Sequence, residues 1–444
     1  MASKSKLALK KQATTMKRFN FSLLLIPVLV LFIKVIIQFN IQSGMWLGAD
    51  GENYLDGLNG LMKDGLFSKE SHLLMWPAGY PLVILLIAKI HFAWALPIVG
   101  FLQSALYSFA VYYFVKQLQS TRLAKFGILI LMLLLLNPTL SLSSLAVGYE
   151  SLIASGHLLI AALWLKSRNK PSESSSFKEI ILASLIAGLM VFMQPRLITT
   201  SVVFLFIWIL ALAKKKSNLA GIAVGLILIL LFPIGLVERN HSSHGLRSVS
   251  TNLGYTMNIG YGDNATGGYS NGAKGVPCTV TATDAAGIDN QKVSCVIKWI
   301  SENPSKTLLL SAKKAFYFWS PWSGPVANGT MARNPWLKIN PISKIAKTQD
   351  GFSLVNGNLG KALGWLWLLG GLALFTLGFI DLCRMKGTER ILGLALGSSV
   401  VIQMLISMAT IGDHRFRLPT MGFSLVLQAV GLLILLKRLS ARSA

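Results

Sequence analysis

Read from its first residue, the chain alternates long apolar runs with short polar connections. Ten runs approach the ~20 apolar residues a helix needs to cross a bilayer. They lie near residues 19–39, 94–115, 126–147, 150–165, 179–195, 197–213, 218–237, 361–382, 390–411 and 419–436. An eleventh, YPLVILLIAKI at 80–90, is too short to cross and is bounded by Pro81 and His91, so it predicts a re-entrant or interfacial helix. Backbone polar groups in lipid must be satisfied within the segment, and these runs predict an all-α polytopic membrane protein.

The polar connections give the sidedness. Basic residues cluster at Lys4–Arg18, Lys116–Lys125, Lys166–Lys178, Lys214–Lys216, Arg384–Arg390 and Lys437–Arg442. If 80–90 does not cross, all six clusters fall on one side, the cytoplasmic one by the positive-inside rule; if it crosses, five lie outside. The expected organisation is a cytoplasmic basic tail at 1–18, a transmembrane domain at 19–436 and a cytoplasmic tail at 437–444 in the plasma membrane. Two outer loops result, at 40–93 and 238–360. Within the second, DNQKVSCVIKWISENPSKTLLLSAKKAFYFW predicts a helix, a break at Pro304 and an amphipathic interfacial helix. The first run lacks a small-residue cleavage pattern and reads as an anchor, not a signal peptide.

Composition sharpens this picture. Of 444 residues 53% are hydrophobic, too much apolar surface for a soluble chain. The net charge of +25, from 42 Lys and Arg against 17 Asp and Glu, would suggest nucleic acid in a soluble protein. Here it reads as inner loops plus a surface facing anionic lipid or phosphate, with no nucleic-acid partner. Cys278 and Cys295 share the long outer loop while Cys383 falls inside; the outer two are expected to form a disulfide, the alternative being two unpaired thiols.

Candidate chemistry collects in the outer loops. Asp50 precedes Tyr54 by four residues, placing both on one face of a helix that Asp50 would begin, as a base or simply as an N-cap. Glu52 follows in the same acidic stretch. WPAGYP at 76–81 puts Trp76 and Tyr80 at the water boundary. Glu150, in AVGYES, is either a functional carboxylate beside hydrocarbon or a helix cap. Arg196 in MQPRLITT and Arg239 in ERNH stand outside, where positive-inside statistics disfavour them, and GDHRFRLPTMG adds His414, Arg415 and Arg417. Two arginines in one turn suit a phosphate; a pairing of Asp413 with Arg415 would account for only one. The stretch 238–272, with Asn252 and Tyr269, is either flexible padding or the polar wall of a sugar or phosphate pocket. His241 and His244 lack a third ligand, so no metal is indicated.

The order of these motifs resembles a known family. DGENY at 50–54, GLF, WPAGYPL, YESL, QPR, then RN…STNLG…GDNATGGY and HRFRLP resemble the polyprenyl-phosphate-sugar-dependent glycosyltransferases of the GT-C fold. Within these, the protein O-mannosyltransferase and aminoarabinose transferase group is most similar. The resemblance covers roughly 20–436 and implies a GT-C-like helical bundle with outer interfacial helices. The large soluble C-terminal domain of some members is expected to be absent. It also implies that Asp50 is the catalytic base, with Glu52 and Glu150 as secondary or acceptor-side acids. Many relatives carry Asp-Glu where this chain has Asp50 and Gly51. Arg196, Arg239, Arg415 and Arg417 become candidates for the donor phosphate, and Tyr54, Trp76, Tyr80, His414, Asn252 and Tyr269 for the substrate pocket.

The function so implied is transfer, with inversion, of a sugar from a polyprenyl-phosphate donor to an acceptor hydroxyl on the extracytoplasmic face. The acceptor is a protein, a lipid or a cell-wall glycan, and membrane lipid is the remaining partner. Two alternatives use the same arginines: a transporter or flippase for a lipid-linked sugar, and a ligase acting on a lipid pyrophosphate.

Overall fold

The computed structural model describes residues 23–47, 50–169, 176–212, 216–268, 275–320 and 358–441. Tyr269, the tail 1–18 and the segment 321–357 lie outside the described residues. The protein is an all-α, multi-pass membrane protein, and among the described residues its only extended pairings are two isolated bridges.

Helix α1 is Leu23–Phe39. The stretch after it folds into α2 (Gly51–Asp64), a single turn α3 (His72–Met75) and α4 (Gly79–Ala88). At 10 residues α4 is only about 15 Å long, half the thickness of the hydrocarbon. It is pinned at its start, where a Cβ on Gly79 would stand 2.3 Å from the Phe192 carbonyl oxygen.

The bundle continues with α5 (Ala95–Leu118), α6 (Gly127–Leu136), α7 (Pro138–Leu142), α8 (Glu150–Arg168), α9 (Phe177–Met193), α10 (Ile198–Leu212) and α11 (Lys216–His244). The connection after α11 carries α12 (Leu253–Gly260), α13 (Ala285–Glu302) and α14 (Pro304–Trp319). Three helices close the chain: α15 (Asn358–Arg384), α16 (Thr388–Ala409) and α17 (Leu418–Ser440). Helix α9 packs on α11, α15 on α17, and α8 lies centrally against α5, α9 and α17.

The run expected as one span at 126–147 is broken. Helices α6 and α7 meet at 56°. Pro138 cannot donate to the preceding turn, and the Asn137 side chain accepts from the Leu140 N–H to begin a new helix. Helix α11 runs seven residues past the expected end at 237, because Arg239, Asn240 and Ser243 find partners without leaving the helix. Among the described residues five helices are long and apolar enough to cross a membrane, or six counting the bent pair, against ten runs in the sequence. Helix α8 shows why the tests differ. Buried on nearly every side, it carries Ser151, Ser155 and His157 inside the protein, so it needs no uniformly apolar surface.

Basic segments converge at one end of the bundle. There the Arg122 N–H donates to Glu389, Lys166 lies 3.4 Å from Glu179, and Arg122, Lys125, Lys437 and Arg438 line one cavity.

Around α12, α13 and α14, Tyr261, Val276, Val296, Trp299 and Leu310 form a small second core. Cys278 and Cys295, expected as a disulfide, are free thiols in contact beside it.

Candidate active site

The two bridges assemble the site. Trp46 pairs with Ala146: its N–H donates to Leu145 O (2.8 Å), and the Val147 N–H donates back to Trp46 O (2.9 Å). This clasp sets the start of α2 beside the start of α8. Gly268 pairs likewise with Gly412, whose N–H donates to Gly267 O at 2.9 Å. A Cβ on Gly412 would sit 2.5 Å from Lys314 Cα and 2.7 Å from Gly267 O, so only glycine admits the approach. The glycine-rich stretch and the GDHRFR turn are thereby joined across α14.

Asp50 occupies the N-cap position of α2, yet its side chain makes no capping hydrogen bond. Its carboxylate turns to the Arg415 guanidinium, which binds Glu150 with its Nε while an Nη holds Asp50. Asp50 is 25% exposed and Glu150 only 4%. Burial opposes the charge on Arg415, but the two carboxylates outweigh it and hold the guanidinium well above its ordinary pKa. The Asp413 carboxylate fixes the turn that delivers Arg415 by accepting its backbone N–H at 2.9 Å. His414 is buried next to that carboxylate. The pairing of Asp413 with Arg415 is therefore to the backbone, and the guanidinium goes elsewhere.

Around this ion triad stands an aromatic wall. The buried Tyr54 ring meets Tyr80 edge-on at 5.2 Å and Tyr149 at 6.1 Å. Burial, then Tyr149, keeps the Tyr54 phenol well above its usual pKa, so it is a hydrogen-bond donor at neutral pH. Tyr149 accepts from Gln194 Nε2 at 2.6 Å and from Arg196 Nη2 at 3.5 Å, and its ring centre lies 5.8 Å from Arg415 Cζ. Sequence reasoning missed Tyr149 and Gln194 as site residues, although Tyr149 adjoins Glu150 and Gln194 stands two residues before Arg196.

The four arginines separate into different roles. Arg415 is saturated by carboxylates. Arg239, expected at the phosphate, donates instead to the carbonyls of Leu66, Ser68 and Leu73 and to Asn240 Oδ1, and so staples the segment 66–73 to α11. Arg417 donates to Trp319 O at 2.9 Å, and burial lowers its pKa to about 10, leaving it charged at neutral pH. Arg196 stacks 4.0 Å from the Phe416 ring centre, its Nε has no protein partner and its one hydrogen bond to Tyr149 is long. It is the least committed of the four.

Other selected residues lie apart from the triad. Glu52 is exposed on α2. Trp76 stacks on His72 at 5.8 Å. Asn252 precedes α12 and accepts from the Thr256 hydroxyl at 3.0 Å. Among the described residues no group of three or more His, Cys, Asp and Glu side chains is placed to share a metal ion.

Two buried cations, Lys34 and Lys314, were not singled out. Lys314 on α14 is fully buried, its ammonium 3.1 Å from the Tyr261 ring centre and without a hydrogen-bond partner. Burial lowers its pKa to about 7.

No family model and no curated protein sequence matches the chain. Among solved structures it is similar to the oligosaccharyltransferase AglB of Archaeoglobus fulgidus in complex with an inhibitory peptide and a dolichol-phosphate. Identity is 13% and the TM-score 0.48, over 96% of this chain and 51% of that one. It is also similar to the A. fulgidus oligosaccharyltransferase tethered to an acceptor peptide containing the NVT sequon, at 12% identity and a TM-score of 0.45. That match covers 94% of this chain and 50% of the other. This chain thus spans about half the length of those enzymes.

Proposed function

We propose that the protein is a GT-C-type membrane glycosyltransferase that moves a sugar from a polyprenyl-phosphate donor to an acceptor hydroxyl, with Asp50 as the base. The observation that carries this reading is the orientation of the Asp50 carboxylate. A residue at an N-cap that leaves the cap unmade, and is instead held by an arginine shared with a second carboxylate, is positioned for something other than helix stability.

Arg415 engages Asp50 through Oδ2, leaving Oδ1 to accept a proton. The acceptor O–H gives its proton to Asp50 as its oxygen forms a bond to the anomeric carbon. The bond from that carbon to the phosphate oxygen breaks, and the phosphate leaves with the electron pair. Attack opposite the leaving group inverts the anomeric centre. A phosphate is already a weak base, so no second carboxyl need protonate it, unlike the alkoxide of a glycosidase. Arg196 is the group assigned to the leaving phosphate, supported by its spare Nε and its place beside Tyr149. Glu150 acts by holding Arg415 in line.

The test is sugar transfer from radiolabelled polyprenyl-phosphate sugars in membranes carrying wild type or Asp50→Asn, with donor binding measured in parallel. Transfer lost with binding kept is the expected result. Full transfer by the Asn variant would return Asp50 to a structural role, and donor binding without transfer by wild type would favour a transporter.

A further inference from the structure

At the basic end of the bundle, remote from the ion triad, lies a cavity of about 620 Å³, within the range of small-molecule sites. Three elements build it: the turn Arg122–Phe126 ahead of α6, the end of α15 and the end of α17. Four cations rim it, Arg122, Lys125, Lys437 and Arg438, against one carboxylate, Asp381. Its walls are apolar, formed by Phe126, Met385, Leu433 and Ile434.

Two ordinary causes place basic residues here. The positive-inside rule favours them in inner connections, and a helix C-terminus favours Lys437 and Arg438. Neither accounts for a void between them. Arg122 and Lys125 come from a different connection, yet they line the same cavity as Lys437 and Arg438. Four like charges around a gap repel one another, and an anion entering the gap relieves that repulsion. Apolar walls below a cationic rim match an amphiphile whose charge is at its head.

We propose that this cavity binds the phosphate headgroup of an anionic phospholipid, with the upper acyl chain against Phe126, Met385, Leu433 and Ile434. The site is separate from the one assigned to the sugar donor and does not depend on that assignment. A soluble phosphate shares the headgroup chemistry but would leave the apolar walls unused.

Native mass spectrometry of the full chain in detergent tests this, with phosphatidylglycerol and phosphatidylcholine of identical acyl chains as probes. Wild type should retain one phosphatidylglycerol about tenfold more tightly than phosphatidylcholine, and Arg438→Ala should lose most of that preference. Lys116→Ala makes the same charge change at the same end outside the cavity and should keep it. Both variants alter exposed side chains, and unchanged thermal unfolding checks that they fold. Equal retention of the two lipids, or equal effects of the two substitutions, would overturn the proposal. Displacement of phosphatidylglycerol by inorganic phosphate as readily as by a second anionic lipid would overturn the lipid assignment.

Discussion

Arg415 and Asp50 form an ion pair across 365 residues of sequence, and the same guanidinium holds Glu150 at the start of α8. Without it, two carboxylates would share a largely dry site. Arg415→Ala is expected to reduce transfer to about 1% of wild type or less, since an oriented base and its counter-charge are lost together. Breaking a buried pair by removing one partner also costs about 3–5 kcal/mol, visible as a lower unfolding temperature. Arg415→Lys restores charge without the fork and should recover stability more than activity. Wild-type transfer and stability in the Ala variant would remove Arg415 from the site.

Arg196 and Arg239, chosen by one sequence argument, should part company. Arg196→Ala should weaken donor binding about tenfold or more while leaving unfolding nearly unchanged. Arg239→Ala strands the carbonyls of Leu66, Ser68 and Leu73 and should destabilise the fold by several kcal/mol, at about 1 kcal/mol or more for each charged bond lost. Donor titration and thermal unfolding of both variants decide this; a donor-binding defect confined to Arg239→Ala would reverse the assignment.

Lys314 gives a pH dependence with a definite sign. Its amine titrates at about 7 when folded, against an ordinary value of 10.5. Between those values the unfolded chain binds a proton the folded one lacks, so the contribution to stability rises with pH from 7 to 10.5 and is flat below 7. Lys314→Met should therefore be more stable than wild type near pH 7, with the gap closing towards pH 10. Parallel unfolding profiles for the two proteins would contradict the burial argument.

Cys278 and Cys295 are neighbours poised for a bond that the sequence anticipated. Burial, then Cys295, raises the Cys278 thiol to about 11, so its thiolate is scarce at neutral pH. Alkylation at pH 7.5 should be slow, and a mild oxidant should give one intramolecular crosslink that Cys278→Ser removes. Peptide mapping that finds Cys278 bonded to Cys383 or to another chain would disprove the pairing.

The helical frame was largely legible because apolar runs report burial directly, and the break at Pro304 follows from proline chemistry alone. The bend at Asn137 was equally available from Pro138, but a continuous apolar count concealed it. Asp50, Glu150 and Arg415 could each be selected from local motifs. Their union could not, because no local pattern encodes a contact between segments so far apart. Arg239 misled for the same reason: its backbone acceptors carry no sequence signature. Lys314 did leave a trace. With Leu310 and Phe318 it falls at every fourth position on the buried stripe of α14, where a lysine is out of place.

The clasp between Trp46 and Ala146 brings two acids together early, whereas their cation arrives with the last helix hairpin. At a synthesis rate of about 5–20 residues per second, the 265 residues separating Glu150 from Arg415 correspond to roughly 13–53 s. For that interval the nascent chain holds neighbouring carboxylates without a counter-ion. On the proposed mechanism the centre stays inactive until α17 docks, so chains truncated ahead of Arg415 are expected to insert into the membrane without acquiring activity.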